Sequence, residues 1–160
     1  MSILETFRRC ELFLGLDDSQ LIKIADLPSC QVKETADQEI IFNGGEQAAD
    51  LYVVAEGRIN LVLKLPASSS QPEEQSLWGT ITKGGVFGWG AVVPPSIRIG
   101  SAISKGSSTL VSIGGDELRA LFDADTRLGY EVMKGLVRIV SSRVWSIEKL
   151  LASGKRSPFI

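Results

Sequence analysis

Residues 39–61 read EIIFNGGEQAADLYVVAEGRINL. Three apolar runs, EIIF (39–42), LYVV (51–54) and the beginning of INLVLKL (59–65), are separated by NGGE and AEGR. Each run has the length of a strand, and turn signals with Gly45 and Gly57 close the gaps between them.

The same texture continues on both sides, through residues 30–113, which are rich in valine, isoleucine and glycine. Further candidate strands are LWGTIT (77–82), RIGSAIS (98–104) and TLVSI (109–113), with KGG and the low-complexity loop PASSSQPEEQS (66–76) between them. Many short strands at such intervals predict an antiparallel sandwich or barrel. Residues 2–27 are helical in period, and Asp17 with Gln20 ahead of LIKIADL forms a capping-box signature. After the strands, Asp116 is placed to cap ELRALF. Asp123 or Asp125 is placed to cap a long helix that runs to about Ala152. The expected organisation is a single domain over 1–160: N-terminal helices in 2–27, a β-barrel in 30–113 and C-terminal helices in 115–152.

That last helix carries two apolar stripes. Met133, Val137, Val140, Val144, Ile147 and Leu151 alternate spacings of four and three, which is a heptad seam. Val132, Leu136 and Ile139 cover another side. A helix with two apolar faces has two things to pack on, its own β-domain and a second copy of the chain. The alternative is one wide face buried within the monomer.

Composition removes several function classes. With 44% hydrophobic and 22% charged residues the chain is globular, and its net charge of -2 argues against a sequence-independent nucleic-acid binder. No apolar run approaches the roughly 20 residues of a membrane helix, and the charges in MSILETFRRC interrupt any export signal. Cys10 and Cys30 have no metal-like spacing and read as reduced thiols of a cytoplasmic protein. Histidine is absent, which removes the commonest general base and lowers the expectation of an enzyme.

Residues 85–102, GVFGWGAVVPPSIRIGSA, hold the chemistry. Gly88 and Gly90 allow close backbone approach, and N–H groups from about Gly88 to Ala91, at the start of a short helix, can hold an anion. Arg98 can add a planar, permanently charged fork. Trp89 sits at the centre, although an indole can neither accept a hydrogen bond nor carry charge.

The order of these pieces resembles that of cyclic-nucleotide-binding domains. The resemblance is carried by Glu11-Leu12-Phe13-Leu14-Gly15-Leu16, by Ile41-Phe42, Gly45-Glu46, Asp50 to Val54 and Glu56-Gly57, by KGGVFG (83–88), and by the long final helix. It covers roughly residues 10–152 and implies a mainly β fold with flanking helices. That fold is a jelly-roll β-barrel (double-stranded β-helix) plus a long C-terminal dimerisation helix, as in catabolite-activator-type effector domains and kinase regulatory subunits.

In that family the phosphate-binding cassette reads F-G-E, a short apolar helix, then R-x-A-T. Phe87-Gly88 match its start, Arg98 follows at the family spacing, and Ser101 stands at the threonine or serine position. The resemblance therefore implies a ligand site at Gly88, Trp89, Gly90, Ala91, Arg98 and Ser101 for a cyclic nucleotide or other phosphorylated small molecule. Trp89 replaces the glutamate that accepts the ribose 2′-hydroxyl, Ile97 replaces a common proline, and Gly100 replaces the usual alanine. The anion half of the cassette is kept and the ribose reader is lost.

Alternatives stay open at individual residues. Arg98 can pair with an acidic neighbour and close the barrel wall. Trp89 can fill the old nucleotide pocket or stack on a flat ligand. Ser141 and Ser142 fall where family members place a base-capping residue, or they face solvent; Lys155-Arg156 read as a solvated terminus. Only seven residues follow the long helix before Ile160, so no helix-turn-helix and no nucleic-acid binding are expected. The expected function is a non-enzymatic sensor module, dimeric through its last helix and read by a protein partner. The rival is a ligand-free dimeric scaffold.

Overall fold

The computed structural model describes residues 2–65 and 74–154. Most of the loop at 66–76, and the Lys155-Arg156 pair, lie outside the described residues. Two helices, α1 (Ile3–Arg8) and α2 (Asp18–Ala25), precede eight strands. The strands are β1 (Gln31–Thr35), β2 (Ile40–Phe42), β3 (Asp50–Glu56), β4 (Arg58–Leu65), β5 (Glu74–Thr82), β6 (Val86–Phe87), β7 (Ser101–Ser104) and β8 (Ser108–Gly114). A short 3-10 helix, Trp89–Ala91, lies between β6 and β7, and α3 (Gly115–Ala124) and α4 (Thr126–Ala152) close the chain.

The jelly roll is built as two four-stranded antiparallel sheets, β1-β8-β3-β6 and β2-β7-β4-β5. Among the described residues no ladder joins the two sheets into a closed barrel. β3 lies inside the first sheet and is buried on both faces, as its nearly continuous apolar sequence requires. Its side chains alternate. Leu51 and Val53 face a core shared with the helices, where Phe7, Phe13, Leu21, Val111 and Leu118 also sit. Tyr52 and Val54 face the space between the sheets with Ile59, Leu61, Ile81, Phe87 and Leu110. Each fully buried aliphatic or phenyl side chain contributes about 1.5–3 kcal/mol relative to exposure.

The capping box of α2 forms as its sequence indicates. Asp17 Oδ1 accepts the Gln20 N–H at 2.9 Å, and Gln20 Oε1 accepts the Asp17 N–H at 2.9 Å. Asp125, not Asp123, caps α4 by accepting the Leu128 N–H at 3.1 Å. Asp116 does not cap α3. The helix begins two residues earlier, at Gly115 with Gly114 as its cap, so Asp116 falls in the first turn and pairs with Arg119.

Two strands escaped the sequence pattern. β1 is an edge strand with a largely exposed, polar sequence, QVKET, and carries little apolar signal. β6 is only two residues long. RIGSAIS enters its ladder only at Ser101, because main-chain bonds hold Arg98 elsewhere: its N–H donates to Glu46 O at 2.8 Å, and its carbonyl accepts the Gly45 N–H at 2.7 Å.

Both stripes of α4 are realised. Leu128, Val132, Leu136 and Ile139 are buried against the helical core. Along the seam, Val137 is 63% exposed, Val144 47% and Leu151 55%, so a single wide buried face is not what the chain forms. Trp145 is 58% exposed, with Lys149 Nζ 3.9 Å from the centre of its ring.

Candidate functional site

Between β6 and β7 the chain wraps around the mouth of the sheet sandwich. Gly88 turns with φ +79°, a left-handed conformation that glycine adopts without cost. A Cβ there would stand 2.9 Å from Arg98 Nη1 and 3.1 Å from Asp50 O, so glycine is also what lets the arginine reach the backbone. Beyond the 3-10 helix the chain passes a cis Pro94–Pro95 bond. Residues 96–98 are then tied to the 45–48 turn by main-chain bonds, including Ala48 N–H to Ser96 O at 2.7 Å.

These ties fix Arg98, which is 7% exposed. Its Nη1 donates to Gly88 O at 2.8 Å and its Nη2 to Asp50 O at 2.6 Å. The guanidinium lies 4.1 Å from the centre of the Phe42 ring. Among the described residues no carboxylate pairs with it; two backbone carbonyls and an aromatic face hold the charge. Burial, the dominant cause, pulls its pKa below the ordinary arginine value, partly opposed by Tyr52, Asp50 and Glu46. Its Nε–H is buried and meets no acceptor among the described residues.

A cavity of about 240 Å³ opens beside this arginine. Gly88, Trp89, Arg98 and Ser101 line it, as the sequence indicated. Gly90 and Ala91 do not line it. Ala91 is fully buried and its N–H is committed to Gly88 O at 3.2 Å, because the short 3-10 turn closes on itself. The expected row of free N–H groups is therefore shorter than the cassette pattern implies. Ser101 Oγ accepts the Gly44 N–H at 3.1 Å.

Trp89 stands on the wall of the cavity and leaves it open. Arg143 of α4 lies over its ring, 4.4 Å from the centre. The same guanidinium donates from Nη2 to Val86 O at 3.3 Å and approaches Glu11 at 4.0 Å, while Glu11 accepts the Val86 N–H at 3.1 Å. Burial lowers the Arg143 pKa from the ordinary arginine value, with Glu11 opposing. The cassette, the N-terminal segment and α4 thus meet at one cation.

Sequence reading missed Arg143, Trp78, Phe42, Leu61, Ile97 and Ile99 as cavity residues. Arg143 lies 45 positions beyond Arg98, and no local pattern sets it apart from other α4 cations. One local signal did exist for Trp78. At Gly100 a Cβ would lie 2.6 Å from Val62 O and 3.2 Å from Trp78 Nε1, so the missing alanine marks where that indole packs. Ser141 and Ser142 are exposed, in keeping with the solvent-facing reading. Among the described residues no group of His, Cys, Asp and Glu is arranged to hold a metal, and no helix is long and apolar enough to cross a membrane.

The model of the cyclic nucleotide-binding domain matches residues 32–125, from the first strand to the cap of α4. This chain belongs to the cyclic nucleotide-binding domain family. Solved structures agree. A candidate cyclic nucleotide-binding protein from Geobacter metallireducens is 25% identical, with TM-score 0.73, over 90% of this chain and 99% of its own. The N-terminal domain of a Streptomyces coelicolor transcriptional regulator is 20% identical, with TM-score 0.68, over 88% of this chain and 94% of its own. The Thermus thermophilus catabolite activator protein is 19% identical, with TM-score 0.70, over 88% of this chain but only 62% of its own length. No curated protein matches the chain. In this member of the cyclic nucleotide-binding domain family, the glycine turn at Gly88, Arg98 and the Trp89 indole line one cavity.

Proposed function

We propose that this chain is a non-enzymatic effector-sensing module that works as a homodimer through α4. A small anionic effector enters the cavity beside Arg98, and a protein partner reads the resulting position of α4. The observation that carries this reading is the stack of Arg143 on Trp89, at 4.4 Å. It makes one wall of the cavity a surface of the helix that dimerises. An effector that moves Trp89 changes what Arg143 rests on, and so biases α4 between two positions.

The exposed seam of α4 supports the dimer. Val137, Val144 and Leu151 would otherwise leave a contiguous apolar stripe in water. Free Cys10 and Cys30 fit a reducing, cytoplasmic setting. Phosphorylated effectors, cyclic nucleotides included, are the first to test, since the spacing of Gly88 and Arg98 follows the cassette pattern. The second reading, a ligand-free dimeric scaffold, draws on the Arg98 fork being closed already by two carbonyls. The open cavity favours the sensor.

Hydrogen–deuterium exchange along α4, with and without an effector that saturates the cavity, tests the proposal. Protection of residues 137–152 should change on binding in the natural chain and change far less in Arg143→Ala. An effector that fills the cavity and leaves α4 exchange untouched would end the sensor reading.

A further inference from the structure

The cavity walls narrow the effector class. Of the described side chains lining it, Arg98, Arg143, Ser101, Trp78 and Trp89 carry nitrogen or oxygen; the others present carbon. None is a carboxylate or a carboxamide. A sugar hydroxyl needs an acceptor for its proton, and burying it against carbon costs about 1–3 kcal/mol. This cavity offers a ribose little, and its ring-bearing walls suit a flat aromatic body.

Charge points the same way. Two arginines line the cavity and no acid does. Arg98 has spent one N–H of each Nη on Gly88 O and Asp50 O, so the fork that would embrace several phosphate oxygens is partly closed. Its Nε–H meets no acceptor among the described residues and is sealed from solvent, so what Arg98 offers the cavity is the remaining N–H of each Nη. A fork so reduced suits one planar carboxylate better than several phosphate oxygens. Size agrees as well. A dry cavity of about 150 Å³ holds a benzene ring, so 240 Å³ holds a ring system of about two rings.

From these observations we infer that the effector is a planar aromatic monocarboxylate of one or two rings, its carboxylate on the Arg98 edge and its rings against Trp89 and Phe42. The inference rests on the sensor reading above and names the chemical class that the same site takes.

Titration calorimetry on the full chain with 2-naphthoate, its neutral amide 2-naphthamide, and cyclic AMP tests it. 2-Naphthoate should bind once per chain, about tenfold or more tighter than the amide and tighter than cyclic AMP. Arg98→Gln should erase the preference for acid over amide. Because a buried arginine also supports the fold, a second variant is needed. Ile99 lines the cavity and is 74% exposed, so Ile99→Glu leaves the core intact and brings a like charge to the site. It should weaken 2-naphthoate about tenfold more than Ile99→Gln does, while the amide should bind the two variants alike. Equal binding of acid and amide overturns the inference, as does 2-naphthoate affinity indifferent to Ile99→Glu. Cyclic AMP binding alone overturns the inference and leaves the sensor reading standing. Failure of every probe on folded chain overturns both.

Discussion

Arg143 of α4 holds its guanidinium carbon 4.4 Å from the centre of the Trp89 ring, across a gap of 54 positions in sequence. The contact joins the cassette to the long helix without any covalent neighbour between them. A cation over an indole is worth about 0.5–2 kcal/mol, more when water is excluded, and Arg143 is partly buried. A double-mutant cycle of Arg143→Ala and Trp89→Leu, followed by urea unfolding, should give a coupling energy within that range. Additive single effects would show that the two side chains touch without interacting.

The seam of α4 predicts assembly. Replacing Val140, 37% exposed, and the half-buried Ile147 with glutamate should convert dimers into folded monomers, seen by light scattering. Each substitution removes apolar contact and sets like charges across the interface. A double variant that remains dimeric removes α4 from the interface.

Arg98→Lys should fail to restore the site. The guanidinium bridges Gly88 O and Asp50 O at once, whereas an ammonium on a flexible stem cannot hold both with the same geometry. Each hydrogen bond from a charged group contributes about 1.5–3 kcal/mol. The variant should lower the unfolding free energy by roughly the loss of one such bond, measured in urea. Stability equal to the natural chain would mean that the cassette does not depend on the fork.

Restoring a carboxylate at the cassette centre should restore nucleotide affinity. Trp89→Glu adds an acceptor beside the cavity, worth about 1.5–3 kcal/mol against a ribose hydroxyl, or roughly tenfold to a hundredfold in Kd. Cyclic AMP should bind the natural chain poorly, Trp89→Glu better, and Trp89→Glu with Arg98→Ala poorly again. Low-micromolar binding of cyclic AMP by the natural chain would contradict the role given to Trp89.

Acid should weaken the start of α4. The Asp125 carboxylate is held below its ordinary 3.8, first by the hydrogen bond from Lys23 and then by the Leu128 N–H. A lowered folded pKa contributes stability above the unfolded value and loses it as pH falls through the folded one. Asp17, bonded by Ser19 and Gln20, and Asp18, bonded by Arg8, shift the same way. Tm should therefore be flat near neutrality and fall below about pH 4, with a shallower fall in Asp125→Asn. An unchanged acid slope in that variant would exclude Asp125 from the effect.

The sequence by itself determined the architecture, because the physics of each element is local. The apolar runs at 51–54 and 59–65 have strand length and are closed by glycine turns. Asp17 and Gln20 sit at capping distance, and the two stripes of α4 follow helical period. Those features act over a few residues and can be read from neighbours in the chain. β1 was not legible, since an exposed edge strand buries too little to need an apolar pattern.

The candidate site was legible only in part. Gly88, Trp89, Arg98 and Ser101 come together because they lie on one cassette, within fourteen residues. What those residues do was decided by partners distant in sequence. Arg98 is closed by Asp50 O, at the start of β3, and Trp89 is covered by Arg143, from a helix that follows every strand in the chain. Contacts of that kind carry no sequence period, because two elements packed against a common core bring them together. Only the tertiary structure could turn an apparent phosphate cradle into a largely apolar cavity lined by Arg98 and Arg143.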